Sequence, residues 1–204
     1  RGQKVYVETC PQYLLMDDSL YELPGFESAK YVCAPSLRKK EDQDCLWKGL
    51  ADGTIQTVST DHCSFTTEQK KLGEGDFTKI PGGMPGAETR GTLIYTYGVD
   101  KGRITKEDMC RVLSENPAKL YGLYPRKGVI APGSDADLVI MRTGVEDVIT
   151  AKDQVQNVDY APFEGTKVTG RVESVFLRGL QAVKDGKVVE EKKGEFLKRG
   201  KYAL

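Results

Sequence analysis

The sequence predicts an α/β fold followed by a small all-β unit. In the first part of the chain, strand-like segments alternate with helix-like segments, an order that favours a parallel sheet. From Gly128 onward, short strands are separated by turns that contain glycine. We therefore place a boundary near Pro125 and expect three parts: an α/β domain at residues 1–125, a β unit at 126–190 and a highly charged C-terminal tail at 191–204.

Composition argues against two classes of partner. The 30 Lys and Arg residues are balanced by 30 Asp and Glu residues, so the net charge is zero at pH 7. This balance gives no electrostatic reason to expect nucleic acid or an anionic membrane as partner. A hydrophobic content of 39% supports a core, and no apolar run approaches the roughly 18 residues that a membrane helix needs.

The cysteines favour reduced thiols. Their number is odd, their spacing is wide, and the N-terminal residues lack the pattern of a signal peptide. We expect the buried, reduced thiols of a cytoplasmic protein instead of a disulfide framework. The five residues are Cys10, Cys33, Cys45, Cys63 and Cys110.

Two strands and a helix are predicted in the first 61 residues. Residues 4–9 and 54–61 have the β-branched character of strands. Between them, residues 41–53 have apolar side chains at helical spacing and end on Gly53, which predicts a helix. A loop rich in glycine and proline follows at residues 64–86. It is too long for a plain connection, which favours a functional loop.

Three more helices are predicted before the boundary. One covers about 87–98 and another 106–115, where Thr105 and Asp108 have the spacing of a capping box. Asn116 is expected to be the N-cap of the third, because a proline follows it.

The β unit is expected to pack onto the first part and to hold no metal or substrate. Its most apolar strands should supply its core. The core residues that we expect there are Val139, Ile140, Val175 and Leu177.

The strand at 54–61 ends on a carboxylate and on the only histidine of the chain. In parallel α/β barrels the catalytic residues lie at the carboxyl ends of strands, so Asp61 is placed to bind a metal or accept a proton. The alternative is that Asp61 only caps the next turn, as aspartate often does. His62 and Cys63 are adjacent and should point to opposite faces, so we expect hydrogen bonding and packing from them instead of a shared zinc ion.

Five stretches of the sequence are together similar to one family of enzymes. They resemble the C-terminal part of the dihydropyrimidinase/D-hydantoinase family, cyclic amidohydrolases of the metal-dependent amidohydrolase superfamily. The resemblance runs in register over nearly the whole chain. The stretches are VYVETCPQYLLMDDS, KYVCAPSLRKKEDQ, STDHCSFTTEQKKLGEGDFTKIP, NPAKLYGLYPRKGVIAPGSDADLVI and NVDYAPFEGTKVTGRVESVFLRG.

The resemblance implies a fold and a chemistry. The family combines a (β/α)8 TIM barrel with a β-sandwich, and it holds two divalent metal ions, usually zinc, through four histidines, a carboxylated lysine and an aspartate. Asp61 matches that aspartate, which makes it the candidate catalytic and metal-binding residue. A metal-activated hydroxide would open a small cyclic ureide, a hydantoin or a dihydropyrimidine, with Asp61 as the proton shuttle. A homo-oligomer, dimer or tetramer, is also implied.

The other metal ligands of the family have no counterpart in this sequence. A complete barrel of this kind takes about 250 residues, so residues 1–125 would supply only its last strands. We expect this chain to be a fragment that is inactive alone, with the remaining ligands outside it.

Two loops are expected to hold the substrate ring through backbone groups. Ala34 stands where relatives commonly have serine, and Gly82 where they commonly have asparagine. These differences leave the ring substrate open, with an allantoinase-like cyclic amidase as one alternative.

Two non-enzymatic alternatives remain. Collapsin-response-mediator-like scaffold proteins keep the barrel, but they typically lack the aspartate that matches Asp61. A free-standing binding module would expose open sheet edges, which natural proteins avoid.

Overall fold

The computed structural model describes residues 2–189 and 194–204, and it combines helices with two separate sheets. The first sheet has two short parallel strands, β1 (Glu8–Thr9) and β2 (Thr57–Val58). Its parallel order agrees with the alternation of strands and helices in the sequence. Both strands are shorter than predicted, because ladder pairs form only between Glu8–Thr9 and Thr57–Val58.

Short helices make up most of the first part. The α-helices are α1 (Pro11–Leu15), α2 (Lys40–Asp52), α3 (Thr67–Lys70), α4 (Arg90–Ile94), α5 (Lys106–Cys110) and α6 (Asn116–Leu120). Turns of 3-10 helix lie at Asp18–Glu22, Glu27–Tyr31, Lys71–Gly73, Phe77–Lys79 and Ala151–Asp153. The predicted loop at 64–86 therefore contains one α-helix and two 3-10 turns.

Helix α2 confirms the prediction for residues 41–53 almost to the residue. It ends where Gly53 adopts a φ of 83°, a left-handed conformation that glycine takes without steric cost. Its buried face carries Trp47 and Leu50, and the indole Nε1 of Trp47 donates to the carbonyl of Leu14 over 3.1 Å. The bond satisfies the one polar group of that ring, so α2 and α1 share one core.

The predicted break before Asn116 is wrong, because α5 continues into α6. Thr105 caps α5 in a capping box with Asp108, as the sequence predicts. Residues Arg111–Glu115 then form a π-helical turn, in which the N–H of Asn116 donates to the carbonyl of Arg111. This wider turn admits the ring of Pro117 inside a continuous helix. The side chain of Asn116 instead donates to the carbonyl of Gln56 over 2.8 Å, beside β2.

The second sheet is antiparallel. Its strands follow the chain order β3 (Leu138–Val148), β4 (Lys167–Leu177), β5 (Leu180–Lys184) and β6 (Lys187–Val188). The first half of β4 lies against the helix that begins with α4. There the N–H of Thr169 donates to the hydroxyl of Thr96 over 3.1 Å.

The predicted core of the β unit is wrong for β3. Val139 is 60% exposed and Ile140 is 47% exposed, while Val175 and Leu177 are half-buried. The buried apolar residue of this sheet is Val168, in the half of β4 that faces α4. Within residues 2–189 and 194–204, no second layer covers β3, so Val139 and Ile140 remain in solvent.

The C-terminal segment returns to the first part of the chain. The N–H of Gly200 donates to the carbonyl of Gly122 over 2.7 Å, and that of Ala203 to the carbonyl of Lys119 over 2.9 Å. Residues 191–193 of the predicted tail lie outside the described residues. The last residues of the tail therefore lie along the end of α6.

All five cysteines are free thiols, as predicted. The expectation that they are buried holds for Cys10 alone. Cys33 is half-buried, and Cys45, Cys63 and Cys110 are exposed, because their segments turn these side chains towards solvent. None of the helices in the described part of the chain is long and apolar enough to cross a membrane.

Candidate functional site

The carboxyl ends of β1 and β2 lie side by side and carry the candidate site. The strands are parallel, and the pairing continues beyond them, because the N–H of Ser59 donates to the carbonyl of Thr9 over 2.9 Å. The side-chain amide of Gln12 then donates to the carbonyl of Thr60 over 3.2 Å. These bonds hold the segment that leads into Asp61.

Asp61 leaves the strand end in an unusual backbone conformation. Its φ is 47°, in the left-handed region, and its side chain is exposed. Aspartate tolerates this region better than most residues, but the conformation still costs ~1 kcal/mol relative to an extended one. The turn directs the chain abruptly away from β2 and leaves the carboxylate at the surface of the strand end.

Two protonated groups lie close enough to interact electrostatically with Asp61. Burial raises the pKa of the Cys10 thiol to about 11, and the charges of Glu8 and Asp61 act in the same direction. Burial also raises the pKa of Tyr13, with smaller contributions from Cys33, Cys10 and Asp61. Both groups therefore stay neutral at pH 7.

His62 is a hydrogen-bond acceptor. Its Nδ1 lies 3.1 Å from the amide nitrogen of Gly86 and 3.2 Å from that of Ala87, and both N–H groups donate to it. A ring nitrogen that accepts carries no proton, so in the neutral ring the proton is on Nε2. Through these two bonds His62 holds the end of a loop at residues 81–87 beside Asp61.

Two loops meet beside this strand end, one at residues 32–38 and the other the 81–87 loop. The N–H of Gly83 donates to the carbonyl of Val32 over 2.9 Å. The N–H of Cys63 donates to the carbonyl of Met84 over 3.2 Å. The two loops and the Asp61 segment therefore form one hydrogen-bonded unit.

Ala34 and Gly82, the two residues expected to bind a ring, lie one on each of these loops. Both are exposed. Among the hydrogen bonds of the described residues, none uses the N–H or the C=O of either one. A Cβ added at Gly82 would meet no atom within 4 Å. The loops thus present free backbone donors and acceptors beside open space.

The described residues do not form a metal site by themselves. No group of three or more His, Cys, Asp or Glu side chains within residues 2–189 and 194–204 is arranged to hold an ion. Zinc takes three or four protein ligands, and Asp61 supplies one. The donor set in this part of the chain does not fit a complete zinc centre.

Lys70 is a buried residue of this region that the sequence did not single out. Its side chain is completely buried and its Nζ donates to three backbone carbonyls of the two loops. Helix α3, which carries it, has only four residues, too few to show a helical pattern. The sequence EQKK also offers no sign that Lys70 is buried while Lys71 is exposed.

Comparison with known proteins gives matches over nearly the whole chain. Residues 14–189 match the sequence model of the Amidohydrolase family. The chain is 50% identical over 204 residues to the D-hydantoinase of Geobacillus stearothermophilus, covering 99% of this chain and 43% of that protein. The chain thus spans less than half the length of the curated relative.

Solved structures give the same relationship. A crystal structure of a D-hydantoinase superposes with a TM-score of 0.96 at 49% identity, covering 100% of this chain and 45% of that one. The dihydropyrimidinase of Brevibacillus agri NCHU1002 superposes with a TM-score of 0.90 at 48% identity, covering 92% of this chain and 41% of that one. The helices and the two sheets described above thus superpose on less than half of each of these longer chains.

Proposed function

Because the chain belongs to the amidohydrolase family, we propose that it supplies the acidic residue and the ring-binding loops of an enzyme that hydrolyses cyclic ureides. The substrate class is that of hydantoins and dihydropyrimidines, for which the relatives are named. In the reaction, the oxygen of water bonds to a ring carbonyl carbon and the C–N bond opens, giving a carboxylate and a free ureido nitrogen.

Asp61 is the proposed proton carrier. Its carboxylate takes the proton that the attacking water releases and gives it to the nitrogen that leaves, so the side chain ends the reaction in its starting state. Tyr13 and Cys10 lie nearby but stay protonated because their pKa values are raised. They are therefore poor acceptors at neutral pH, which favours Asp61 for this role.

The ring is proposed to bind through main-chain groups of Ala34 and Gly82. A cyclic ureide presents alternating N–H donors and C=O acceptors, which backbone groups can pair without any particular side chain. The observation that carries the proposal is that these exposed and unpaired groups lie on two loops bonded to one another and, through Cys63, to the Asp61 segment.

The larger assembly is proposed from the family. Residues 1–125 would form the last part of a (β/α)8 barrel, residues 126–190 part of a β-sandwich and residues 191–204 a tail. Asp61 would be one ligand of a divalent metal site, two zinc ions in the form that we favour, with the remaining ligands outside these 204 residues. A cytoplasmic homo-oligomer, dimer or tetramer, completes the proposal.

The test is to join this chain to the N-terminal portion of the Geobacillus stearothermophilus D-hydantoinase that has no counterpart here. The fusion should open hydantoin or dihydrouracil. Asp61→Asn should lower kcat by about 10²–10⁴-fold, because an amide cannot accept the proton. Asparagine tolerates the left-handed conformation as well as aspartate does, so the turn is kept.

Asp185 offers a matched control. It also has a positive φ, 49°, and lies in the turn between β5 and β6, away from the two loops. Asp185→Asn should leave kcat within about twofold of the parent, as an exposed substitution away from the site does. Equal activity of Asp61→Asn and the parent fusion would overturn the role of Asp61.

A further inference from the structure

The side chain of Lys70 makes an unusual set of contacts. It is fully buried, and its Nζ lies 3.1 Å from the carbonyl oxygen of Val32, 2.7 Å from that of Pro81 and 2.9 Å from that of Gly83. An ammonium group has three N–H donors, so these three acceptors use all of them. The ring of Phe65 lies 5.6 Å from Nζ and adds a favourable contact with the cation.

The partners of Lys70 are neutral carbonyls, which is costly for a buried charge. Burial disfavours the ammonium form and lowers the pKa of Lys70 to about 8, although Cys33 and Cys63 act in the opposite direction. A hydrophobic side chain would fill the same space without this cost. The contacts therefore call for a role other than packing.

The three carbonyls belong to the two loops that carry the proposed ring-binding groups. Val32 lies two residues before Ala34, and Pro81 and Gly83 flank Gly82 on both sides. Lys70 itself lies at the end of α3, on the segment that follows Asp61. One cation thus joins three segments of the candidate site.

The hydrogen bonds of Pro81 and Gly83 determine where the N–H and C=O groups of Gly82 point. A trans peptide is planar, and its C=O and N–H point in opposite directions. Because the carbonyl of Pro81 points at Lys70, the N–H of Gly82 points away from it. Because the N–H of Gly83 points at the carbonyl of Val32, the C=O of Gly82 points away from Val32. Both polar groups of Gly82 are thereby directed out of the loop contact.

We propose that Lys70 is a positioning residue that fixes the 32–38 and 81–87 loops so that the backbone groups of Gly82 and Ala34 face a cyclic ureide. The proposal rests on the proposed function for the identity of the ligand, but the fixing of the loops does not depend on it. Lys70 touches neither ligand nor reacting atoms and acts through the carbonyls that it binds.

The first experiment measures the loops without any substrate. Amide hydrogen exchange is followed by mass spectrometry in the 204-residue chain and in Lys70→Met and Lys70→Gln. Exchange in peptides covering 81–87 should be at least about tenfold faster in Lys70→Met, the change expected when even one of the three carbonyls loses its partner. Peptides from β3 and β4 should exchange as in the parent.

The neighbouring Lys71 is the matched control. It is exposed and forms an ion pair with Glu68, so Lys71→Met removes the same charge and the same side-chain length from the same helix end. Its exchange pattern should equal that of the parent. Uniformly faster exchange in Lys70→Met, or failure of both Lys70 variants to fold, would mean that Lys70 supports the whole fold and would overturn the proposal.

The second experiment reads the site in the fusion enzyme. Lys70→Met should raise KM for hydantoin by about tenfold or more, with kcat within about threefold of the parent, because oriented backbone groups bind the ring before the reaction. Lys70→Gln keeps two N–H donors, so its KM should lie between those of the parent and of Lys70→Met. An unchanged KM with loosened loops would overturn the positioning role. A parent fusion without any activity would instead count against the proposed function. The hydrogen-exchange experiment would then still test whether Lys70 fixes the two loops.

Discussion

The amide nitrogen of Gly83 lies 2.9 Å from the carbonyl oxygen of Val32, and this bond joins two loops that are about 50 residues apart in sequence. Gly83 also packs closely against Cys63, because it has no side chain. A Cβ at this position would lie 2.5 Å from the carbonyl oxygen of Cys63, and the φ of Gly83 is 149°. The junction of the loops therefore requires glycine.

Gly83→Ala should lower the free energy of unfolding by about 2 kcal/mol or more, because the new methyl group meets backbone and the φ is strained. Gly82→Ala, one residue away, should change it by less than about 0.5 kcal/mol, since its Cβ would meet nothing within 4 Å. Urea unfolding of both variants is the measurement. Equal stabilities for the two would contradict the close contact seen at Gly83.

His62→Ala should cost about 1 kcal/mol of stability, the net value of a typical hydrogen bond, because water reaches the two exposed N–H groups that it leaves. His62→Asn offers an acceptor oxygen near the position of Nδ1 and should recover most of this loss. Unfolding in urea compares the three proteins. If His62→Ala instead removed all bound metal from the fusion enzyme, the assignment of His62 as a hydrogen-bond acceptor alone would be wrong.

The buried ammonium of Lys70 predicts a pH dependence of stability. Burial lowers its pKa from 10.5 to about 8, against the opposing influence of Cys33 and Cys63. Between these two values the unfolded chain binds more protons than the folded chain, so this group makes the free energy of unfolding rise with pH. The two pKa values differ by about 2.5 pH units, and each pH unit corresponds to ~1.4 kcal/mol. The free energy of unfolding should therefore rise by about 3 kcal/mol over this range.

Unfolding curves recorded from pH 7 to 10.5 for the parent and for Lys70→Met isolate this contribution, because the other titrating groups are common to both. The difference in stability between them should widen in favour of the parent as the pH rises. A constant difference across this range would show that the pKa of Lys70 is not lowered in the folded chain.

The exposed strand β3 predicts a contrast between two valines. Val139 is 60% exposed, whereas Val168 on the neighbouring strand is 4% exposed. Val139→Thr should change stability by less than about 0.5 kcal/mol and should lower self-association of the chain, measured by sedimentation velocity. Val168→Thr should cost about 1–3 kcal/mol, because it buries a hydroxyl group. An equal cost for the two would mean that β3 is covered in solution.

Local signals in the sequence were sufficient for parts of the fold. Helix α2 and the cap at Thr105 were predicted because apolar spacing, a stop glycine and a capping box all lie within a few residues of one another. The end of the helix before Asn116 was mispredicted, because a proline after asparagine usually starts a helix. Here a π-helical turn accommodates it inside one.

Features that depend on residues far apart in the sequence could not be predicted from local sequence patterns. The apolar residues of β3 gave the expected alternation of a strand, but burial depends on which layers cover the sheet. Lys70 finds its partners 38, 11 and 13 residues away, and no periodicity marks such a residue. The resemblance to a family indicates Asp61, Ala34 and Gly82 as site residues. The hydrogen bonds that join their segments are seen only in the structure.

We propose that this chain contributes one acidic ligand and two ring-binding loops to a site whose other ligands lie outside these 204 residues. Zinc content by elemental analysis, measured together with hydantoin opening, tests it most directly. The 204-residue chain alone should retain no stoichiometric zinc and show no turnover, since one aspartate cannot replace the three or four ligands that zinc takes. The fusion to the N-terminal portion of the D-hydantoinase should hold about two zinc ions per chain and open the ring. Two equivalents of zinc with measurable turnover in the 204-residue chain alone would show that the chain forms a complete site by itself.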